Sequence, residues 1–179
     1  RGERSRTARG FQCAITNVSS PPQSDATLAL PPSPTTVRTR APLVSGVQTR
    51  HTISVEGESV VAVHHEADAD RWFVCSHGFI SDKEGSYEER CERAVAEGFQ
   101  AVRFDHRGCG ESDRAFGDQT LETRLADLRA VLDYFDPPRC VLFGSSFGGR
   151  VALQTAINDD RVVAVGTRAP LTHPDPFEE

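Results

Sequence analysis

The chain contains no methionine, begins at Arg1, and has no apolar run near the roughly 20 residues that a membrane-spanning helix needs. Arg1 is not an ordinary initiator position, so a fragment, or a chain translated from an unusual start, is expected. The five cysteines (13, 75, 91, 109 and 140) include no Cys-x-x-Cys pair and no metal-ligand spacing. That scatter excludes a disulfide or zinc scaffold and reads as free thiols in a reducing compartment. Neither metal nor cofactor is expected. Gly-x-Gly-x-x-Gly is missing, as is any Gly-Lys-Ser/Thr phosphate loop, so a nucleotide-binding reading is poor. The arginine-rich N-terminus lacks the apolar stretch of a secretion signal, and the expected location is cytoplasmic.

Positive charge is scarce where a fold can form. The first 50 residues hold seven arginines against Glu3 and Asp25, a net +5, whereas the remainder holds 13 basic and 24 acidic residues, a net −11; together these make the overall −6. An acidic globular part argues against a nucleic-acid partner. Residues 1–50 also carry six prolines (21, 22, 31, 32, 34, 42) and show neither helical nor strand periodicity. Such a composition cannot bury enough surface to offset ordering entropy, so a disordered tail is expected, followed by one domain over residues 51–179. The arginines are too dispersed for a basic arm.

From His51 the texture changes. Alternation over 52–56 and again over 59–64, with a turn at Gly57-Glu58, predicts a β-hairpin. Compact apolar runs at 71–75, 99–104, 140–143 and 161–165 suit buried strands, with Cys75 and Cys140 as small core residues. Between them lie helical patterns. Ser86-x-x-Glu89 carries the capping-box signature and places Cys91, Ala94 and Val95 on one face, with Gly98 as the stop. Leu121, Leu125, Leu128, Leu132 and Phe135 recur at helical spacing over 120–135, and Pro137-Pro138 ends that helix. Strands alternating with helices after a hairpin predict a mostly parallel α/β sheet.

The chemistry concentrates in Val141-Leu142-Phe143-Gly144-Ser145-Ser146-Phe147-Gly148-Gly149, a strand running through Gly-x-Ser-x-Gly into the helix-compatible run 150–157. Gly144 and Gly148 flank Ser146 at the two positions where strand and helix backbones approach too closely for a Cβ. The turn holds Ser146 strained, with its Oγ exposed above the sheet. The Phe147 amide then lies at the helix N-terminus, where free N–H groups and the dipole favour a developing oxyanion. The plainer alternative is a glycine-rich turn whose serine caps the next helix. Ser145 lacks flanking glycines at both positions and is expected to point away from the pocket or to pack beneath the elbow.

Three motifs in order, Cys75-Ser76-His77-Gly78-Phe79, Asp105-His106-Arg107-Gly108-Cys109-Gly110-Glu111-Ser112 and Gly144-Ser145-Ser146-Phe147-Gly148-Gly149, resemble the first two-thirds of an α/β-hydrolase over residues 51–170. Within that superfamily, His77-Gly78-Phe79-x-x-x-Lys83-Glu84 together with the Asp-x-Arg-Gly-x-Gly-x-Ser turn is similar to the esterase and serine-aminopeptidase-like branch. The resemblance implies Ser146 as nucleophile of an acyl-enzyme and the Phe79 N–H as a second oxyanion donor beside Phe147. It implies a small-molecule acyl substrate, no nucleic-acid or membrane partner, and says nothing of oligomeric state. His77 is expected to position Gly78 and line the pocket floor rather than move protons. Asp105 and Arg107 are expected to stabilise their turn; Glu111 and Ser112 receive no role.

In this fold the triad runs Ser, then Asp or Glu, then His along the chain. After Ser146 only Asp159, Asp160, His173, Asp175, Glu178 and Glu179 remain. Asp159 and Asp160 come too early, and His173 precedes Asp175, so no acid or base is assigned. The resemblance implies further strands bearing them. The 179 residues alone are therefore expected to hydrolyse p-nitrophenyl acetate no faster than a Ser146→Ala control, and 161–165 is expected to leave an apolar sheet edge. A non-catalytic binding protein on the same fold, or thioester, perhydrolase or peptidase chemistry, are the alternatives.

Overall fold

A computed structural model of the chain describes residues 46–172, so residues 1–45 of the expected tail and the candidates His173, Asp175, Glu178 and Glu179 lie outside the described residues. Among the described residues six strands form one sheet: β1 (Gln48–Val55), β2 (Glu58–His65), β3 (Trp72–Ser76), β4 (Gln100–Phe104), β5 (Cys140–Ser145) and β6 (Val162–Arg168). Three α-helices connect them: α1 (Ser86–Ala96), α2 (Leu121–Phe135) and α3 (Phe147–Asn158). The strand order is β1-β2-β4-β3-β5-β6. β2 runs antiparallel to both β1 and β4, while β4, β3, β5 and β6 are mutually parallel. This is the mostly parallel α/β sheet opened by a hairpin that the alternating pattern predicts.

Two boundaries differ from the sequence reading for local reasons. β1 starts at Gln48, inside the stretch expected to be tail, because Gln48 to Arg50 pair with Val63 to His65 of β2. The hairpin turn is Glu56-Gly57 rather than Gly57-Glu58: both residues have positive φ (54° and 87°), as tight hairpin turns require, and Val55 pairs with Glu58 across it.

Alternation along the parallel strands feeds two cores. Trp72, Val74, Val102, Phe104, Cys140 and Leu142 face α2 and α3, where Leu128, Val131, Leu132, Val151 and Ala152 complete a cluster. Cys75 and Ala101, with Phe73 and Phe143 beside them, face the opposite way and pack on Tyr87 and Cys91 of α1. Cys75 and Cys140 are each 1% exposed, as core thiols should be. β6 is the edge strand among the described residues, with Val163 56% exposed, so the apolar edge expected of this segment is present.

The expected capping box at Ser86 does not form. Gly85 is the N-cap, with no side-chain cap bond, and Ser86 is already helical. The entry is set instead by tertiary anchoring two residues before the cap: the Lys83 amide donates to Asp105 Oδ1 at 2.7 Å and its Nζ to Oδ2 at 2.8 Å. At the other end Gly98 (φ 78°) stops the helix as expected, its N–H and that of Phe99 donating to the carbonyls of Val95 and Ala94. Helix α2 has the box that α1 lacks, between Thr120 and Thr123.

Candidate functional site

β5 delivers the chain to the C-terminal rim of the sheet, and α3 leaves it immediately. Between them Ser146 adopts φ 53°, ψ −121°. Gly85 takes nearly the same conformation (φ 60°, ψ −116°) at the start of α1, where the absence of a Cβ makes it inexpensive. At the elbow a serine occupies that backbone state and keeps its side chain. Strain of this kind persists where surrounding structure over-determines it. The Ser146 amide donates to Arg168 O at 2.9 Å, and its carbonyl accepts from Gly149, Arg150 and Leu171. Ser146 is partly exposed, while Phe147, Gly148 and Gly149 behind it are buried.

The glycines are required by contact. A Cβ on Gly144 would stand 2.2 Å from Gly148 O, and one on Gly148 would stand 2.2 Å from Ser76 O and 2.3 Å from His77 O. The same closeness brings the loop after β3 against the elbow: the Cβ position of Gly78 is 3.6 Å from Ser146 Cβ. The rings of Phe79 and Phe147 meet edge to face at 5.8 Å. Thus the structure brings together Ser146, Phe79 and Phe147, the three residues singled out from sequence. Ser145 lines a cavity of about 230 Å3 beside the elbow, with Gly78, Ser81, Ser86, Tyr87, Arg90, Phe143 and Arg168.

His77 has a determinate hydrogen-bond state. The His106 backbone N–H donates to His77 Nε2 at 3.0 Å, so the ring proton sits on Nδ1 and is donated to Gly78 O at 2.7 Å. Burial, then the neighbouring His106 and Arg124, hold its pKa well below the usual histidine value. Both ring nitrogens are engaged, and the ring is neutral, so it holds Gly78 and accepts no proton from Ser146.

A Ser–His–Asp string does exist among the described residues, but away from the elbow serine. Ser76 Oγ donates to His106 Nε2 at 2.9 Å, and His106 Nδ1 donates to Asp127 Oδ2 at 3.4 Å. All three residues are buried, Asp127 also accepts the Arg107 backbone N–H at 2.9 Å and its side-chain Nε–H, and no substrate can reach the hydroxyl. The string ties the ends of β3 and β4 to α2. Sequence reasoning missed His106 and Asp127 as buried partners. Asp127 lies beside Leu128 on the face that α2 buries, and a carboxylate at such a position was the available signal.

The Asp105–Ser112 turn is built from its own side chains. Asp105 Oδ2 accepts the Glu111 N–H at 2.9 Å, and Ser112 Oγ donates to Asp105 O and accepts from Val61 N. Asp105 therefore acts as the expected turn partner, whereas Arg107 does not: its side chain leaves the turn for Asp127 on α2 and for Val55 O, Glu56 and Glu58 of the β1–β2 hairpin. The exposed Glu111 pairs with the buried Lys83 ammonium at 2.7 Å. Asp159 is bound to Arg161 at the far end of α3. Among the described residues no three His, Cys, Asp or Glu side chains cluster as metal ligands, and no helix is long and apolar enough to cross a membrane.

The neutral buried histidines make stability depend on pH. Burial, then Arg124 and Arg107, push His106 well below 6.5; burial, then Arg103, pushes His65 down to about 4; burial also lowers His64. Their contribution is complete above the unfolded value of 6.5 and is lost as pH falls toward the folded values, because the unfolded chain then binds more protons. Each fully buried ring can contribute up to about 1.4 kcal/mol per pH unit across that window. Urea midpoints measured from about pH 7.5 to about pH 5 should fall steadily; a flat profile would show that these rings are protonated in the fold.

A serine held in strained backbone between a parallel strand and a helix, packed against the loop of the neighbouring strand, defines the α/β-hydrolase class of site. Residues 71–179 match the family described as the alpha/beta hydrolase fold, and the chain belongs to that family. It is 37% identical over 108 residues to the quorum-quenching protein AidA of Acinetobacter baumannii, covering 55% of this chain and 35% of that protein. Among solved structures it is similar to the Pyrococcus furiosus esterase Pf2001 in fold, with a TM-score of 0.65 at 19% identity over 70% of this chain and 53% of that one. It is also similar to the bottromycin epimerase BotH, with a TM-score of 0.59 at 31% identity over 66% of this chain and 47% of that one. The chain spans about a third of the length of the curated relatives it matches, 35%, 34% and 29% for the first three.

Proposed function

We propose that this chain is the nucleophile-bearing part of a serine hydrolase that cleaves carboxylic esters through an acyl-enzyme on Ser146. The observation that carries the proposal is the elbow itself: a non-glycine residue at φ 53°, with Gly78 packed against its Cβ. In this reading Ser146 Oγ attacks the substrate carbonyl, and its proton passes to a base. The Phe79 and Phe147 amides receive the negative charge that develops on the carbonyl oxygen. Neither His77 nor His106 has a ring nitrogen directed to that task, so the base and its acid come from chain outside residues 46–172. The substrate is a small acyl compound, the location is cytoplasmic, and neither nucleic acid nor membrane is a partner.

A fluorophosphonate probe should label the full-length gene product at Ser146, with adduct mapping by mass spectrometry as the readout. Absence of labelling in folded protein favours the other reading, a non-catalytic binding protein that retains the elbow as scaffold. The likeness to BotH, whose name is that of an epimerase, keeps other chemistry on this fold in view. Ser146 labelling without ester turnover would point to thioesters, peptides or perhydrolysis.

A further inference from the structure

Helix α2 carries a cation that the proposed chemistry has not yet used. Arg124 is fully buried, and among the described residues no carboxylate lies within ion-pair distance of it. Its guanidinium instead collects three consecutive backbone carbonyls. Nη1 donates to His77 O and Gly78 O, each at 3.2 Å, and Nη2 donates to Phe79 O at 3.1 Å. Nε donates to Gln119 Oε1 at 2.9 Å, which fixes the plane of the fork. The group also lies 5.6 Å from the Phe79 ring and 5.2 Å from the Phe147 ring, the side chains of the two residues whose amides are the proposed oxyanion donors.

Peptide geometry converts these contacts into an orientation. In a planar trans peptide the C=O and the following N–H point in opposite directions. The Gly78 carbonyl and the Phe79 N–H belong to one such unit, and no described peptide is cis. With the carbonyl drawn to Arg124 on one side, and held by His77 Nδ1 as well, the Phe79 N–H is turned to the opposite side. Gly78 itself packs on Ser146 Cβ and Ser145 O. We infer that Arg124 is the positioning residue of the oxyanion hole: its fork holds the carbonyls of the β3 loop and so aims the Phe79 amide.

Two physical points support this beyond the geometry. Burial pushes the Arg124 pKa down to about 10, yet the group remains a cation at neutral pH. A buried charge without a direct ion pair costs free energy, and it persists where the surrounding dipoles are arranged around it. Second, the arrangement needs a fork. A lysine ammonium is a point donor and cannot span three carbonyls and a carboxamide oxygen in one plane.

The inference rests on Ser146 being the nucleophile, and the experiment separates the two. In the full-length gene product, ester turnover is measured for wild type, Ser146→Ala, Arg124→Met, Arg124→Lys and Gln119→Leu, together with inhibition by a trifluoromethyl ketone as transition-state mimic. Arg124→Met should lower kcat by about 10²-fold and weaken the ketone equally, with KM within about threefold of wild type. Arg124→Lys, which keeps charge but not the fork, should recover part of that loss. Gln119→Leu should show a smaller loss in kcat with an unchanged Tm, and it carries the test if Arg124→Met does not fold. Amide hydrogen exchange at residues 78–80 should quicken in the same variants, a readout independent of turnover. Folded Arg124 or Gln119 variants with kcat within about twofold of wild type, or with unchanged exchange at 78–80, overturn the positioning role. Wild-type turnover equal to that of Ser146→Ala overturns the serine-hydrolase reading instead.

Discussion

Ser146→Ala in the full-length gene product is expected to lower ester turnover by about 10⁶-fold while leaving the fold intact. The size of the loss follows from the proposed role: without the hydroxyl no acyl-enzyme could form, and what would remain is the contribution of the proposed oxyanion donors and binding. Stability is expected to separate cleanly from activity at this position. Ser146 holds φ 53°, where an L side chain is strained, and alanine keeps that strain. Ser146→Gly relieves it and should raise stability by about 1 kcal/mol or more, with the same loss of turnover. Thermal melts of the three proteins, alongside p-nitrophenyl ester assays, read both quantities. Turnover retained in Ser146→Ala would remove the nucleophile from the proposal. A glycine variant less stable than wild type would show that the elbow is not strained.

Gly148→Ala should add a methyl group to the site where neither side can give way. The new Cβ would meet Ser76 O at 2.2 Å and His77 O at 2.3 Å, and both obstacles are backbone. Alanine is the better helix former by about 1 kcal/mol, and that gain is overwhelmed. Overpacking of this kind costs about 1–3 kcal/mol and more where backbone must move. The chemical penalty is larger, because the displaced strand end leads into Gly78 and Phe79. Separating the start of α3 from that loop by about an ångström parts the Phe79 and Phe147 amides, and misplacement on that scale costs about 10²-fold in rate. Gly117→Ala, where an added Cβ has nothing within 4 Å, serves as the control and should behave as wild type. Equal Tm and equal turnover for Gly148→Ala and the control would show that the elbow and the β3 loop do not pack as described.

Much of this site was legible before any coordinates. Gly-x-Ser-x-Gly between an apolar run and a helical one already places a serine at a strained bend, because Gly144 answers to Gly148 and Gly149 a few residues on; that Gly148 answers to the distant Ser76 and His77 carbonyls only the fold could show. The Asp-x-Arg-Gly-x-Gly-x-Ser turn was legible for the same reason: Asp105 meets the Glu111 amide six residues on, and Ser112 returns to the Asp105 carbonyl. The capping signature at Ser86 misled, since a local pattern was overridden by an anchor just past β4, Asp105 holding Lys83.

The amino-acid sequence by itself determined the alternation of strands and helices, the two-faced burial of the parallel strands, and the identity of the residue at the elbow. These depend on backbone periodicity and on steric limits that act between near neighbours. Only the tertiary structure decided that His77 is a neutral ring with both nitrogens spoken for, that His106 pairs with Asp127, and that Arg124 gathers three carbonyls of the loop beside Ser146. Apart from Gly78 beside His77, those partners stand 21 to 47 residues apart in the chain. A buried polar group must find a partner somewhere, but its sequence position does not say where; the folding of α2 across the end of the sheet does.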